Sequence, residues 1–179
     1  KWFFFASTSH VYGFSRGKIK ETKKTRPISK YGQTKLRAEN YIVRSFRRKK
    51  LPYCIGRIFS FTQKKQSGDF VIPSIMKRIK KEINTFENVN HYRDFISIKD
   101  ICAAINILYN NRSYGIYNIG SGKKILISDI IKIITRKNNK KVVLKNNAKK
   151  TCLVADINKM KKFKWKPKKN IKEIINDFK

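Results

Sequence analysis

Tyr31 and Lys35 stand four residues apart in the stretch Tyr31-Gly32-Gln33-Thr34-Lys35. On a helix this spacing places both side chains on one face. A tyrosine hydroxyl has a pKa of about 10 in isolation and is a poor base at neutral pH, but a lysine ammonium beside a tyrosine favours the phenolate. Such a pair could exchange a proton with an alcohol or a sugar hydroxyl. The same spacing also occurs by chance at exposed helix starts, so the pair alone does not define a site.

Hydroxyl side chains lie upstream of this pair, at the point where an apolar run ends. The run spans Trp2 to Ala6 and is followed by Ser7-Thr8-Ser9. Continuous apolar runs are typical of central strands in a parallel sheet, and ligands bind beyond the carboxyl ends of such strands. We therefore expect these hydroxyl side chains to lie where a parallel sheet binds its ligand.

Apolar runs and helical periodicities alternate along the chain, which predicts an α/β protein. Ser29 is the candidate cap of the first helix. The predicted strands span 2–6, 53–59, 92–97, 114–119 and 141–144, and the predicted helices span 31–48, 70–81, 100–109, 127–135 and 171–178.

With these motifs in order, the sequence resembles the extended short-chain dehydrogenase/reductase family of nucleotide-sugar enzymes. Members carry a Ser/Thr-rich strand end before Val-Tyr-Gly, then a Tyr-x-x-x-Lys further along the chain. Here Thr8 falls on the catalytic Ser/Thr position, ahead of Val11-Tyr12-Gly13. Further segments similar to the family are Gly56–Phe59, Arg93–Asp100, Tyr117–Gly122, and Asp156 followed by Phe163, Trp165 and Pro167.

The resemblance implies a role for each matching position. Tyr31 would be the acid/base at the sugar oxygen, and Thr8 would hold that same oxygen. Lys35 would bond the nicotinamide ribose, and Arg93 would grip the substrate diphosphate through its guanidinium. The implied catalytic residues are Thr8, Tyr31 and Lys35; the implied cofactor-binding residues are Tyr31, Lys35, Phe59 and Ser60; the implied substrate-binding residues are Thr8, Ser9, Ser60, Arg93 and Ser121.

Two of these assignments have plainer alternatives. Arg93 could form an ion pair with Asp94 or Asp100 instead of contacting a ligand. The stretch Gly120-Ser121-Gly122 could be an ordinary turn.

Departures from the family pattern narrow the reaction. Dehydratases of the family place Asp-Glu directly after the catalytic Thr, and decarboxylases place Glu at the second of those positions, whereas this chain has Ser9 and His10. The resemblance therefore favours an NAD(P)-dependent nucleotide-sugar epimerase, with a 4-keto-sugar reductase or a dehydratase as the alternatives. His10 could be an added acid or a residue that packs beside the strand end.

No glycine-rich dinucleotide fingerprint occurs in the sequence, although the family begins with one. The resemblance implies an α/β fold made of the C-terminal part of a Rossmann-type parallel sheet plus a smaller α/β substrate-binding lobe. We assign 1–60 to the Rossmann part and 61–179 mainly to the lobe, with 92–112 packing back on the Rossmann part. On this interpretation the chain is a fragment without its main NAD or NADP motif, inactive in isolation and homodimeric when full length.

Composition adds one alternative of another class. Lys and Arg number 44 against 11 Asp and Glu, a net charge of +33. The lysines are spread along the chain, as on solvated faces, so a catalytically idle polyanion-binding fragment is the alternative and no specific nucleic-acid partner is predicted. Cys54, Cys102 and Cys152 form no CxxC pair, so no metal site or disulfide framework is expected. No apolar run is long enough for a membrane span, and we expect a cytoplasmic location.

Overall fold

The computed structural model describes residues 1–64, 66, 70–136 and 141–178, together with the backbone of Lys137. The strands are β1 (Phe3–Thr8), β2 (Tyr53–Ile58), β3 (Ser60–Thr62), β4 (Thr85–Glu87), β5 (Tyr92–Arg93), β6 (Phe95–Ser97), β7 (Gly115–Ile119), β8 (Ile125–Leu126), β9 (Val143–Lys145) and β10 (Cys152–Leu153). The helices are α1 (Lys30–Arg48), α2 (Val71–Lys80), α3 (Ile98–Asn110), α4 (Ile127–Lys137), α5 (Asn158–Lys161) and α6 (Ile171–Asn176).

The site rests on a three-stranded parallel sheet with the strand order β1-β2-β7. In its register Ala6 lies opposite Gly56, and Gly56 lies opposite Tyr117. Gly56 has no room for a side chain, because a Cβ there would stand 2.6 Å from the Phe4 ring and 2.8 Å from Ile119. Parallel strands connected through helices confirm the predicted α/β class.

Strand β1 is longer than the predicted run over 2–6. It continues to Thr8, and a 3₁₀ turn over Ser9–Val11 follows. The polar residues at 7 and 8 stay in the strand because they pair with the end of β2. Thr8 is therefore the last residue of the strand, at the carboxyl edge of the sheet.

The predicted strand over 92–97 is wrong in one respect, since the chain forms two strands that belong to different sheets. β5 pairs with β8 and β10, whereas β6 pairs with β3. Asp94 lies between the two strands, and its side chain is fully buried. The pairing changes there because the Asp94 carboxylate accepts hydrogen bonds from the backbone N–H groups of Ser121, Gly122 and Ala155.

Four short strands and one short helix were not predicted from the sequence: β3, β4, β8, β10 and α5. Each contains two to four residues, too few to show a periodicity. Their pairing is set by residues far along the chain, as when β10 joins β5 and β9 joins β4.

The third strand of the central sheet comes from residues 115–119, which lie beyond both 1–60 and 92–112. Helix α3 leads into it, and its buried residues Ile101, Ala104 and Leu108 share a core with Ile119. The division into a Rossmann part at 1–60 and a lobe at 61–179 stays a prediction. Because β7 pairs with β2, β7 belongs to the same sheet as the strands of the Rossmann part.

Helix α1 is fixed to the central sheet along one face. Its buried residue Ile42 packs with Tyr53 and Ile55 of β2. On the opposite face Tyr41 is 72% exposed. The helix therefore has a defined rotation relative to β1 and β2, and this rotation decides where Tyr31 and Lys35 point.

Two kinds of feature are absent from the part of the chain that the structure describes. None of its helices is long and apolar enough to cross a membrane. No group of three or more His, Cys, Asp or Glu side chains there is arranged to hold a metal ion.

Candidate active site

The Tyr and Lys of helix α1 lie at the carboxyl edge of the central sheet. Ser29 caps the helix, accepting a hydrogen bond from the Gly32 N–H at 3.1 Å, so the predicted cap is confirmed. The Lys35 ammonium donates to the Ala6 carbonyl oxygen at 3.0 Å and lies 4.9 Å from the centre of the Phe5 ring. Lys35 is thereby docked on β1 two residues before Thr8, while Tyr31 is 55% exposed.

The 3₁₀ turn after β1 brings a third side chain to the pair. The His10 N–H donates to the Thr8 hydroxyl oxygen at 3.2 Å. The His10 ring then meets the Tyr31 ring edge-on, with 5.8 Å between centroids. The structure therefore gathers Thr8, His10, Tyr31 and Lys35 at one strand end, where the parallel-sheet argument expects a ligand.

Gly32 allows this close approach although glycine weakens a helix. A Cβ on Gly32 would overlap the His10 carbonyl oxygen and stand 3.0 Å from the His10 carbonyl carbon. Because both neighbours are backbone atoms, no side chain could move aside to make room. The glycine between Tyr31 and Gln33 thus keeps the first turn of α1 against the end of β1.

We expect Gly32→Ala to destabilise the protein by about 1–3 kcal/mol, because the added methyl group forces the helix start away from the 3₁₀ turn. Urea unfolding followed by circular dichroism measures this loss. Gly17→Ala is the matched control, since a Cβ at Gly17 meets nothing within 4 Å and should change stability by about 0.5 kcal/mol at most. Equal stabilities of the two variants would contradict the close approach at Gly32.

A buried ion pair fixes α1 to the sheet behind the site. The Arg57 Nη2 lies 2.6 Å from Glu39 Oε2, and both side chains are almost fully buried. The Arg57 Nε donates to both carboxylate oxygens at 3.1 Å, and the Ser7 hydroxyl donates to Oε1. Glu39 follows Lys35 by four residues, so the same helix face carries Tyr31, Lys35 and this carboxylate.

The network continues from Arg57 into strand β7. Tyr12 accepts a hydrogen bond from Arg57 Nη1 at 2.9 Å and donates to Asn118 Oδ1 at 2.8 Å. Burial raises the pKa of Tyr12 to about 12, so its hydroxyl stays protonated and keeps donating. Asn118 in turn donates through Nδ2 to the Ile19 carbonyl oxygen at 2.7 Å.

Arg93 does not form the ion pair with Asp94 or Asp100 that was the alternative interpretation of this residue. Its Nη1 donates to the Tyr92 carbonyl oxygen at 2.8 Å and to the Thr151 hydroxyl at 3.1 Å. Asp100 is occupied elsewhere, since its carboxylate accepts from the Ser97 hydroxyl at 2.7 Å. Within the described residues Nε and Nη2 of Arg93 have no hydrogen-bond partner, so two of its nitrogens are available to an anion.

Ser121 uses its hydroxyl within the protein. It donates to Asp94 Oδ1 at 2.6 Å, and the Ser121 N–H donates to the same oxygen at 2.6 Å. Burial raises the pKa of Asp94, and the hydrogen bonds from Ser121, Ala155 and Gly122 act in the opposite direction. The loop at 120–122 is therefore organised around a buried carboxylate, and a substrate contact of Ser121 stays a prediction.

The remaining predicted ligand residues lie around the ends of β1 and β2. Phe59 is 2% exposed, and its N–H donates to the Ile119 carbonyl oxygen at 2.9 Å. Ser60 is half-buried at the start of β3, opposite Phe95. Ser9 is buried in the 3₁₀ turn. The cofactor and substrate roles of these three residues stay predictions.

Three residues that help to build the site were assigned no role from the sequence: Ser7, Glu39 and Asp94. Glu39 could have been suspected, because it continues the four-residue spacing of Tyr31 and Lys35. Asp94 lies in the family-like segment Arg93–Asp100, but its structural role depends on partners 27 to 61 residues away.

The parallel sheet, the Tyr-x-x-x-Lys helix and the hydroxyl-bearing strand end together define an extended short-chain dehydrogenase/reductase of the nucleotide-sugar type. Comparison with known proteins agrees, since the family described as GDP-mannose 4,6 dehydratase matches residues 1–178. The chain belongs to this family, and the resemblance read from its motifs is confirmed.

Two curated relatives are named for different activities. An uncharacterized UDP-glucose epimerase, YtcB of Bacillus subtilis, is 30% identical over 146 residues, covering 79% of this chain and 46% of the relative. The dTDP-4-dehydro-6-deoxyglucose reductase of Escherichia coli is 29% identical over 151 residues, covering 80% of this chain and 48% of the relative. The chain thus spans about half the length of the curated relatives it matches.

Solved structures show the same fold. UDP-glucuronic acid 4-epimerase from Bacillus cereus, in complex with UDP-glucuronic acid and NAD, superposes with a TM-score of 0.88 at 24% identity, covering 98% of this chain and 59% of that one. RMD from Pseudomonas aeruginosa, complexed with NADPH, gives a TM-score of 0.88 at 21% identity, covering 99% of this chain and 65% of that one. At these identities the likeness establishes the fold alone.

Proposed function

We propose that the chain is the catalytic and substrate-binding part of an NAD(P)-dependent nucleotide-sugar epimerase. One observation carries the proposal: Tyr31 and Lys35 lie on one face of α1, and Lys35 is bonded to β1 two residues before Thr8. This places a phenol, an ammonium and a hydroxyl at one strand end. A sugar oxygen bound there would meet a proton-transfer group and a hydrogen-bond donor together.

The residues present fit a nicotinamide nucleotide. Lys35 makes one hydrogen bond within the described chain, to Ala6, so it has further N–H groups for a ribose. Tyr31 is exposed on the same helix face, and Phe59 and Ser60 follow the neighbouring strand. When bound, the nicotinamide supplies reversible hydride transfer at the sugar carbon.

The chain's own residues handle the proton and the anionic end of the substrate. Tyr31 takes the proton of the sugar hydroxyl and returns it to the same oxygen. Thr8 holds that oxygen with its hydroxyl. Arg93 binds the diphosphate through Nε and Nη2, the nitrogens left over from its bonds to Tyr92 and Thr151.

A 4-keto-sugar reductase is the second candidate, and the reductase among the curated relatives favours it. Ser9 and His10 supply no carboxylic acid after Thr8, which disfavours a dehydratase. An epimerase consumes no cofactor overall, whereas a reductase oxidises one NADPH per sugar. Following NADPH absorbance during turnover therefore separates the two.

We also propose a cytoplasmic enzyme that forms a homodimer through α1.

Arg93→Ala tests the substrate class. We expect saturable binding of UDP-glucose, measured by calorimetry, to weaken by about 10- to 100-fold in this variant, because a charge-assisted hydrogen bond to phosphate contributes about 1.5–3 kcal/mol. Arg16→Ala is the matched control, because Arg16 is exposed and its substitution removes the same charge at another place on the surface. The affinity of this variant for UDP-glucose should equal that of the wild type.

The salt dependence of binding distinguishes this proposal from a polyanion-binding fragment. A polyanion surface would bind anions of any kind and would lose affinity steeply as salt rises. It would also respond equally to Arg93→Ala and Arg16→Ala. That result would overturn the enzyme proposal.

A further inference from the structure

Three segments of the chain hold the side chain of Arg93. Its Nη1 donates to the Tyr92 carbonyl oxygen at 2.8 Å and to the Thr151 hydroxyl at 3.1 Å. The guanidinium carbon also lies 5.5 Å from the centre of the Phe14 ring, within the range of a cation–π contact. Thr151 directly precedes β10, which pairs with β5, so the strand pairing brings its hydroxyl to an arginine 58 residues earlier.

The two bonds of Nη1 decide which edge of the Arg93 guanidinium is left for a ligand. Both hydrogens of Nη1 have protein acceptors. The guanidinium is planar and rigid, so holding one nitrogen at two acceptors sets the direction of the whole group. Nε and Nη2 form the remaining edge, and their parallel N–H groups match two oxygens of a phosphate.

The Thr151 hydroxyl has a defined direction because His91 accepts its hydrogen bond. A guanidinium only donates, so Thr151 Oγ1 is the acceptor towards Arg93. The same oxygen lies 3.0 Å from His91 Nδ1, and the Thr151 N–H donates to this nitrogen at 3.3 Å. A ring nitrogen that accepts from an N–H carries no proton, so the network assigns Nδ1 as the acceptor and Nε2 as the protonated nitrogen.

The surroundings of His91 keep its imidazole in the uncharged form that this arrangement needs. Partial burial lowers the pKa of His91 from its ordinary value, and the positive charge of Arg93 lowers it further. An ordinary histidine already loses its proton near pH 6.5. At neutral pH the ring therefore keeps a lone pair on Nδ1 for the Thr151 hydroxyl.

We propose that Thr151 is a positioning residue for Arg93, with its hydroxyl oriented by His91, and that it turns the Nε–Nη2 edge towards the diphosphate of a nucleotide sugar. The inference rests on the proposed function, because the orientation of Arg93 matters only if Arg93 binds the substrate. In this role Thr151 and His91 act through the guanidinium. An arginine that is already held loses less conformational freedom when it binds a phosphate, so its contact contributes more to affinity.

A double-mutant cycle with Arg93→Ala tests this role, with UDP-glucose as the probe and calorimetry at fixed salt as the measurement. We expect Thr151→Val to weaken binding by about 3- to 10-fold, because valine keeps the shape of threonine and removes the hydrogen bond. Thr151→Ser keeps the hydroxyl and should bind within about twofold of the wild type. In the Arg93→Ala background, Thr151→Val should change affinity by less than about twofold, because the group that it positions is gone.

His91→Phe tests the second link of the arrangement. Phenylalanine keeps an aromatic ring at the position but has no acceptor for the Thr151 hydroxyl. We expect a loss of affinity of about 2- to 5-fold, which also disappears in the Arg93→Ala background. This variant tests the proposal independently of any change that valine causes at position 151.

Thr85→Val is the matched control for the threonine substitution. Thr85 is also half-buried, and its hydroxyl donates to Asn84 Oδ1 at 3.4 Å, away from Arg93. Its affinity for UDP-glucose should equal that of the wild type. Urea unfolding of each variant confirms that the samples compared are folded.

The outcomes separate this inference from the proposed function. If Arg93→Ala weakens binding but Thr151→Val does not, or if the two losses add in the double variant, the positioning role of Thr151 is overturned and the proposed function stands. If the wild type does not bind UDP-glucose, or if Arg93→Ala binds it equally well, the substrate contact in the proposed function is overturned and the inference falls with it.

Discussion

Tyr31→Phe is expected to lower kcat of the active enzyme by about 10²- to 10⁴-fold, the range contributed by a positioned acid/base. The phenyl ring keeps the contact with His10, whose ring centroid lies 5.8 Å from that of Tyr31. Only the hydroxyl is lost, so the affinity for the nucleotide sugar should hardly change. Steady-state kinetics and calorimetry on the same preparations measure the two quantities.

Tyr41→Phe is the control for this substitution. Tyr41 lies on the same helix, is 72% exposed and belongs to the face turned away from the sheet. Removing its hydroxyl should leave kcat within twofold of the wild type, about 0.4 kcal/mol in activation free energy. If Tyr31→Phe turned over as fast as Tyr41→Phe, Tyr31 would have no part in the proton transfer.

Glu39→Leu is expected to destabilise the fold by about 3–5 kcal/mol, because it leaves the Arg57 guanidinium buried without its carboxylate. Both side chains are almost fully buried, with Nη2 and Oε2 2.6 Å apart. The double variant Glu39→Leu/Arg57→Met removes the stranded charge and should regain most of the loss. The free energy of unfolding in urea measures each variant.

An exposed ion pair provides the comparison for this buried one. Lys169 and Asp177 also form an ion pair, but the Asp177 side chain is 48% exposed. Asp177→Asn should therefore cost about 1 kcal/mol or less. A cost of that size for Glu39→Leu, or a double variant less stable than the single one, would contradict the interpretation of the Glu39–Arg57 pair as a buried, mutually dependent unit.

The parts of the site that depend on neighbouring residues could be predicted from the sequence. The spacing of Tyr31 and Lys35, the cap at Ser29 and the apolar run before Thr8 are all visible within one or two turns of chain. The structure confirms the helix at 30–48 and its cap. Motif order along the whole chain then identified the family, which no single spacing could do.

The parts that depend on distant pairing could not be predicted in the same way. Arg57 lies in a motif, yet its bond to Glu39 joins a strand to a helix 18 residues earlier. The strand break at Asp94 depends on Ser121 and Ala155, which reach it only in the folded chain. Likewise Nη1 of Arg93 is bonded to Thr151, 58 residues further on, so the sequence could not predict which nitrogens of Arg93 stay available.

The most direct test of the central claim, that Thr8, Tyr31 and Lys35 act on a nucleotide sugar, is a turnover assay by proton NMR. The product of the complete reading frame that encodes these residues would be incubated with NAD, or NADPH, and a panel of UDP-, GDP- and dTDP-linked sugars. We predict catalytic conversion of at least one sugar by the wild type and its loss in Tyr31→Phe. Absence of conversion of every sugar, or conversion that Tyr31→Phe leaves unchanged, would contradict the account.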